Sequence, residues 1–278
     1  QEDVHPWGGL IAFGRTIYST YNELPVTFVF ILSYFAYSDG FSTIAGLGLL
    51  FARLNMCADT TALFIVAIEA PLFAAIGNYL FLWLSRRYEV PNKKMVVYIL
   101  CFISLLTFWG LLGFVSGTIG FRNLWEAYLL GAWFGLCLGA VQNFSRTLFL
   151  ELIPPSHESE YFALYELTDK GSSWLGPLVV AGIAQAGVGY LRFAFLYIML
   201  MTLGPCYFVW TLDLERAAAD ISRFEYARAQ TTKAKYGDAS PRDLEDKCDS
   251  AVVGKLGQEG VIATTSETDP LSSKNTED

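Results

Sequence analysis

The stretch VTFVFILSYFAYSDGFSTIAGLGLLF, residues 26–51, contains only one charged side chain, that of Asp39. Because an α-helix rises about 1.5 Å per residue, about 20 apolar residues cross the ~30 Å hydrocarbon core of a bilayer. Five further segments are apolar and long enough to do so, at residues 60–84, 95–115, 125–149, 161–186 and 191–212. The sequence therefore predicts an all-α membrane protein, built as a six-transmembrane-helix bundle.

Polarity divides the chain into four segments. Hydrophobic residues make up 53% of the chain and charged residues 17%, below the roughly 25% that is usual in soluble proteins. We predict an interfacial helix or a linker at residues 1–24, the six-helix transmembrane domain at 25–213, a charged cytosolic helix at 214–236 and a disordered cytosolic tail at 237–278. The net charge of −8 comes largely from that tail, and no basic stripe alternates with aromatic residues, so we predict no nucleic-acid partner.

The basic residues in the short connections predict the orientation, because cytosolic loops carry the excess of Lys and Arg. One set of connections holds the basic loop SRRYEVPNKK, residues 85–94, and the Lys and Arg residues that follow residue 214. The alternate set holds only Arg53, Arg122 and Arg192. Both ends of the chain are therefore expected in the cytosol, which agrees with an even number of spans.

Polar side chains recur at helical spacing inside three predicted spans. A charged side chain at the centre of a span costs about 2.5–3.5 kcal/mol on insertion scales, so such residues need partners. We take nine of them as candidates for a substrate or proton pathway: Asp39, Ser42 and Thr43 in the first span, Gln142, Asn143 and Arg146 in the fourth, and Glu166, Asp169 and Lys170 in the fifth.

The charges of these side chains predict their roles. The acids Asp39, Glu166 and Asp169 suit contacts with a substrate amine or proton exchange, while Arg146 and Lys170 suit contacts with a carboxylate. Glu166 precedes Lys170 by four residues, the favourable order for an ion pair within one helix. The alternative is that these charges only pair with one another and hold the bundle together.

Glycine and proline predict two further features. Interrupted helices are typical of binding sites in transporters, although a simple kink is the alternative. Helix-breaking residues interrupt four predicted spans: Ser38, Asp39 and Gly40 the first, Pro71 the second, Gly176 and Pro177 the fifth, and Gly204 and Pro205 the sixth. Gly131, Gly135 and Gly139 are spaced four residues apart in the fourth span. This spacing predicts a glycine ridge against which a neighbouring helix packs closely.

The sequence offers little for metal or enzyme chemistry. Its five cysteines are far apart and have no metal-binding spacing, and its two histidines, His5 and His157, fall in predicted loops. We therefore predict no metal, no cofactor and no enzymatic activity.

Four stretches resemble the autophagy-related vacuole effluxers, a branch of the major facilitator superfamily. They are SYFAYSDGFSTI at residues 33–44, SRRYEVPNKK at 85–94, GAVQNFSRTLFLELIPPSHESEYFALYE at 139–166 and LTDKGSSWLGPLVV at 167–180. The resemblance covers about residues 25–212. It implies that the bundle is the carboxy-terminal half of a major facilitator transporter, and that this chain is a fragment without its amino-terminal half.

The same resemblance implies a transporter of the vacuole membrane that exports amino acids, neutral ones such as leucine, to the cytosol during autophagy. Alternating access would then place the substrate site between two halves, near the midplane of the bilayer. The expected partners are the lipid bilayer, an amino-acid substrate and the missing amino-terminal half. The alternative function is a non-transporting scaffold or receptor that acts through its cytosolic tail.

Deleting residues 237–278 distinguishes a carrier from a scaffold. We expect amino-acid efflux from isolated vacuoles to be retained, because all the candidate site residues lie in the predicted spans and none in the tail. The measurement is the release of labelled amino acids by the intact and the truncated protein, matched for protein amount. Loss of the cellular phenotype with unchanged efflux would favour the scaffold instead.

Overall fold

The computed structural model describes residues 8–114, 120–155 and 157–236. In this part of the chain the elements are helices throughout: α1 Gly8–Glu23, α2 Pro25–Asn55, α3 Thr60–Tyr88, α4 Asn92–Leu112, α5 Leu124–Leu150, α6 Glu158–Ser172, α7 Leu175–Ala186, a short 3₁₀ helix Val188–Arg192, α8 Phe193–Thr211 and α9 Leu214–Tyr236. The predicted disordered tail at 237–278 lies outside the described residues, as do the first seven residues of the predicted segment 1–24.

Five helices in the described residues are long and apolar enough to cross a membrane. They are α2, α3, α4, α5 and the stretch Tyr190–Thr211, which contains α8. These helices coincide with five of the six predicted spans, so the prediction of an all-helical, membrane-spanning chain is confirmed for them.

Three of the four predicted interruptions do not break a helix, since residues 38–40, Pro71 and residues 204–205 lie inside the continuous helices α2, α3 and α8. The fifth predicted span, at residues 161–186, does not form one continuous helix. It is divided into α6, with 15 residues, and α7, with 12 residues. At about 1.5 Å per residue these helices are roughly 22 and 18 Å long, and each is too short to cross a ~30 Å core alone. Pro177 explains the break, since it has no N–H and its ring clashes with the carbonyl of Ser173 in a continuous helix. In α7 this proline falls in the first turn, where it is tolerated.

The helices do not pack in their order along the chain. Helix α2 packs mainly against α8, α6, α5 and α7. Helix α5 packs mainly against α3 and α4, and α4 also packs along α8. Neighbours in sequence such as α2 and α3 make few contacts. The first three long helices are therefore interleaved with the later ones rather than forming a separate layer.

Helices α3 and α5 approach each other most closely, and the glycine ridge is the reason. A Cβ atom added at Gly135 would overlap the carbonyl oxygen of Ala70, and one added at Gly139 would overlap that of Ala74. The ridge predicted from glycine spacing is thus confirmed, with α3 as the helix that packs on it.

The chain divides into two compact units, residues 1–224 and residues 225–278. The first unit contains every helix from α1 to α8 and the beginning of α9. Of the second unit the structure describes residues 225–236, which are the end of α9.

Substituting Gly135→Ala tests the close contact of α3 and α5. The added methyl group would meet backbone atoms, so we expect the protein to unfold more easily by about 1–3 kcal/mol. The measurement is the thermal unfolding midpoint of the protein in detergent. Gly46→Ala is the matched control, because a Cβ at Gly46 meets nothing within 4 Å. An equal effect of the two substitutions would contradict the close contact.

Candidate functional site

The carboxylate of Asp169 on α6 lies at the centre of a polar cluster formed with α2. Its Oδ1 accepts hydrogen bonds from the Tyr34 hydroxyl at 2.7 Å and from the Ser38 hydroxyl at 2.5 Å. Its Oδ2 accepts a bond of 3.1 Å from Lys170, whose side chain is 77% exposed, whereas that of Asp169 is only 12% exposed. Tyr34 and Ser38 are four residues apart on α2 and share a face, so the helical repeat places both donors on the same oxygen.

A second ion pair links α6 to α5. Arg146 Nη2 lies 2.9 Å from Glu166 Oε1, and the two side chains are 53% and 46% exposed. The predicted pair of Glu166 with Lys170 is therefore wrong. Arg146 projects from the neighbouring helix to Glu166, while Lys170 turns to the adjacent Asp169. Ion pairs this exposed contribute about 0–1 kcal/mol, so their partners exchange at little cost.

Three buried tyrosines lie behind these charges. The rings of Tyr34 and Tyr165 stack with centroids 4.1 Å apart, and Tyr37 meets Tyr34 edge-on at 5.2 Å. The Tyr37 hydroxyl is 2.7 Å from the Ser145 hydroxyl, which ties α2 to α5. Sequence reasoning missed this tyrosine cluster, although Tyr34 and Tyr37 are three residues apart, the spacing of one helix face.

Asp39 belongs to a different network from Asp169. It is 1% exposed, and its Oδ1 accepts a hydrogen bond of 2.8 Å from the backbone N–H of Gly176 in the first turn of α7. Its Oδ2 accepts a bond of 2.7 Å from the Tyr197 hydroxyl on α8. A carboxylate at a helix N-terminus is stabilised by the free N–H groups and by the helix dipole. Asp39 therefore caps α7.

Ser42 and Thr43, predicted to share a polar face with Asp39, bond to their own helix. Both hydroxyls donate to the backbone carbonyl of Asp39, at 2.9 and 2.7 Å. Thr43 also lies directly against Gly176, where a Cβ atom would overlap its hydroxyl. The absence of a side chain at Gly176 thus allows α7 to reach α2.

The predicted polar stripe of α5 separates into different contacts. Asn143 donates from Nδ2 to the Asn78 oxygen at 3.0 Å and so links α5 to α3. Gln142 is half-buried, and its side chain makes no hydrogen bond with the described residues. Of the three stripe residues, only Arg146 bonds to α6.

Glu126, in the first turn of α5, is a buried charge that sequence reasoning missed. Its carboxylate accepts hydrogen bonds from Asn123 Nδ2 at 2.9 Å, from the indole of Trp109 at 3.4 Å and from the backbone N–H of Phe121. The motif NLWE, residues 123–126, was the available signal, since Asn at the N-cap followed by Glu three residues later is typical of a helix start. Glu126 therefore fixes the loop that precedes α5.

An apolar cavity of about 420 Å³ lies along α2, α7 and α8 and reaches Asp39 and Tyr197. Its other lining residues are almost all apolar, and Leu32, Leu200 and Phe208 border it with exposed side chains. Such a lining suits hydrocarbon chains of a bilayer better than a charged solute.

Comparisons with known proteins agree with the resemblance. The family model described as "Vacuole effluxer Atg22 like" matches residues 8–222. Autophagy-related protein 22 of Coccidioides immitis is 33% identical over 215 residues, which are 76% of this chain and 35% of that protein. Autophagy-related protein 22-1 of Aspergillus niger is 33% identical over 222 residues, 78% of this chain and 35% of that protein.

A relative from Eremothecium gossypii, also an autophagy-related protein 22, is 31% identical over 214 residues, 76% of this chain and 42% of that protein. The chain thus spans 35–42% of the length of these three relatives. No solved structure matches the chain significantly.

The substitution Asp39→Asn tests the capping of α7. An amide lacks the charge that strengthens the bonds from Gly176 and Tyr197, so we expect the unfolding free energy in detergent to fall by about 1–3 kcal/mol. Ser42→Ala is the control, since it removes only a bond within α2. If the two variants unfold at the same temperature as the wild type, Asp39 does not hold α7.

Proposed function

Because this chain belongs to the Atg22-like vacuole effluxer family, we propose that the intact protein is a multi-pass transporter of the vacuole membrane. It exports amino acids, neutral ones such as leucine, from the lumen to the cytosol during autophagy, and it does so by alternating access. Both ends of this chain face the cytosol, and an amino-terminal half of the same protein completes the substrate site. This function needs no cofactor.

The observation that carries the proposal is the polar cluster on α2, α5 and α6. Charged side chains are costly within a membrane and generally mark substrate or ion pathways. Here an acid, Asp169, and a base, Arg146, are both present on neighbouring helices, each with an exposed partner. A zwitterion such as an amino acid requires one group of each sign.

The interrupted segment α6–α7 supports the same proposal. The two helices together supply the fifth of the six proposed crossings. The break between them lies beside Asp169, with only residues 170–174 between the aspartate and the start of α7. Interrupted helices with free backbone groups recur at the substrate sites of transporters. Asp39 positions this break by capping α7, and in this proposal it does not touch the substrate.

The helix packing supports alternating access. In one half of a major facilitator transporter, helices form two three-helix repeats of inverted topology. In this chain α2, α3 and α4 form the first group, and α5, α6–α7 and α8 form the second. The first helix of the first group, α2, packs against α6–α7 and α8 of the second group. The first helix of the second group, α5, packs in turn against α3 and α4 of the first group. Such a reciprocal exchange is what two interleaved inverted repeats produce.

Asp169→Asn in the intact protein tests the proposed site. The amide oxygen still accepts the bonds from Tyr34 and Ser38, so the fold is retained while the negative charge is lost. We expect leucine efflux per folded molecule to fall roughly tenfold or more, the size of one charge-assisted hydrogen bond. The measurement is the release of labelled leucine from vacuoles of a fungal host that lacks its own family member.

The control is Asp220→Asn on α9, which changes the same chemical group outside the bundle and should leave efflux unchanged. Efflux that is equal in Asp169→Asn and the wild type would make Asp169 a structural residue. Leucine release that does not depend on the intact protein at all would overturn the proposed function.

A further inference from the structure

The hydroxyl of Tyr165 is a buried polar group without a hydrogen-bond partner among the described residues. Its side chain is fully buried between the rings of Tyr34 and Phe149, with centroids at 4.1 and 5.0 Å. A buried hydroxyl without a partner costs about 1–3 kcal/mol, and native structures keep few of them. A group retained at such a cost points to an acceptor that arrives from outside.

The Tyr165 hydroxyl lies near that of Tyr34 but makes no well-formed hydrogen bond to it, so its proton is available to a better-placed acceptor. The Tyr34 hydroxyl donates to Asp169, and the Tyr37 hydroxyl pairs with Ser145. Arg146 is close enough to interact electrostatically with the Tyr165 hydroxyl. A hydroxyl donor beside a guanidinium is a favourable site for a carboxylate, because both groups donate to negative oxygens.

Arg146 and Asp169 are each held by a partner that a ligand can replace. Glu166, the partner of Arg146, is 46% exposed, and Lys170, the partner of Asp169, is 77% exposed. Release of an exposed partner into water costs little, since it regains hydration and side-chain freedom. Of the two Asp169 oxygens, Oδ1 accepts hydrogen bonds from Tyr34 and Ser38, while within the described residues Oδ2 accepts one from Lys170 alone.

We propose that the α-carboxylate of the substrate binds Arg146 and the Tyr165 hydroxyl, and that its α-ammonium binds Oδ2 of Asp169. This assignment rests on the amino-acid transport proposed above. The substrate carboxylate takes the place of Glu166, and the substrate ammonium takes the place of Lys170. Each of the two partners is thus replaced by a substrate group of the same charge, so Arg146 and Asp169 both remain paired when the substrate binds.

The substitution Tyr165→Phe separates this role from a structural one. Removing a hydroxyl without a partner leaves the ring packing intact, so the unfolding temperature stays the same or rises. The KM for leucine nevertheless rises roughly ten- to hundredfold, as expected for the loss of a hydrogen bond to a charged group. A merely structural tyrosine would give unchanged transport.

Two leucine analogues show which end of the substrate the hydroxyl binds. In competition with leucine, 4-methylpentanoate keeps the carboxylate and lacks the ammonium, while 3-methylbutylamine keeps the ammonium and lacks the carboxylate. Tyr165→Phe weakens inhibition by 4-methylpentanoate by the same factor as it raises the leucine KM, and inhibition by 3-methylbutylamine is unchanged. Asp169→Asn instead weakens inhibition by 3-methylbutylamine and leaves inhibition by 4-methylpentanoate unchanged.

Tyr37→Phe is the matched control, because its hydroxyl is already bonded to Ser145. It lowers the unfolding temperature and leaves the ratio of the two inhibition constants unchanged. If Tyr165→Phe leaves both the KM and this ratio as in the wild type, or weakens both analogues equally, the assignment is overturned while amino-acid transport stands. If the wild-type protein releases no leucine, both proposals are overturned.

Discussion

Helix α2 holds both parts of the interrupted segment, and the proposed site depends on this constraint. Ser38 and Asp39 are consecutive, so their side chains leave α2 about 100° apart. Ser38 donates to Asp169 on α6, while Asp39 accepts the backbone N–H of Gly176 on α7. Two adjacent residues of α2 therefore bond to the two helices, α6 and α7, that lie on either side of the break. Ser38 acts on α6 together with Tyr34 and Arg146, whereas Asp39 holds the first turn of α7.

The sequence predicted what depends on local pattern and missed what depends on distances between helices. Long apolar runs located five spanning helices, and the glycine spacing identified the closely packed face of α5. The partner of Glu166 was predicted wrongly because spacing within α6 says nothing about Arg146 on another helix. Tyr165 reads in sequence as an ordinary core aromatic residue. That its hydroxyl makes no well-formed hydrogen bond to the described residues follows only from the positions of its neighbours in the fold.

Interactions of very different strength are combined in this bundle. Helices α3 and α5 meet through backbone atoms at Gly135 and Gly139, a contact that tolerates no added methyl group. The ion pairs of Arg146 and Asp169, in contrast, involve exposed partners. Close-packed interiors resist continuous deformation, whereas exposed ion pairs rearrange at small cost. Rigid helices that carry exchangeable charges are the combination that the proposed alternating access requires.

Asp39 and Asp169 have the same chemical group, and their partners decide which of them suits transport. Both oxygens of Asp39 are occupied, one by a backbone N–H that belongs to the first turn of α7. A substrate ammonium that displaced that N–H would leave it without an acceptor, because N–H groups in the first turn have no partner within their own helix. One oxygen of Asp169 is instead held by a lysine that already extends into solvent. A transport site must bind and release its ligand in each cycle, so the acid with a releasable partner is the one that fits this role.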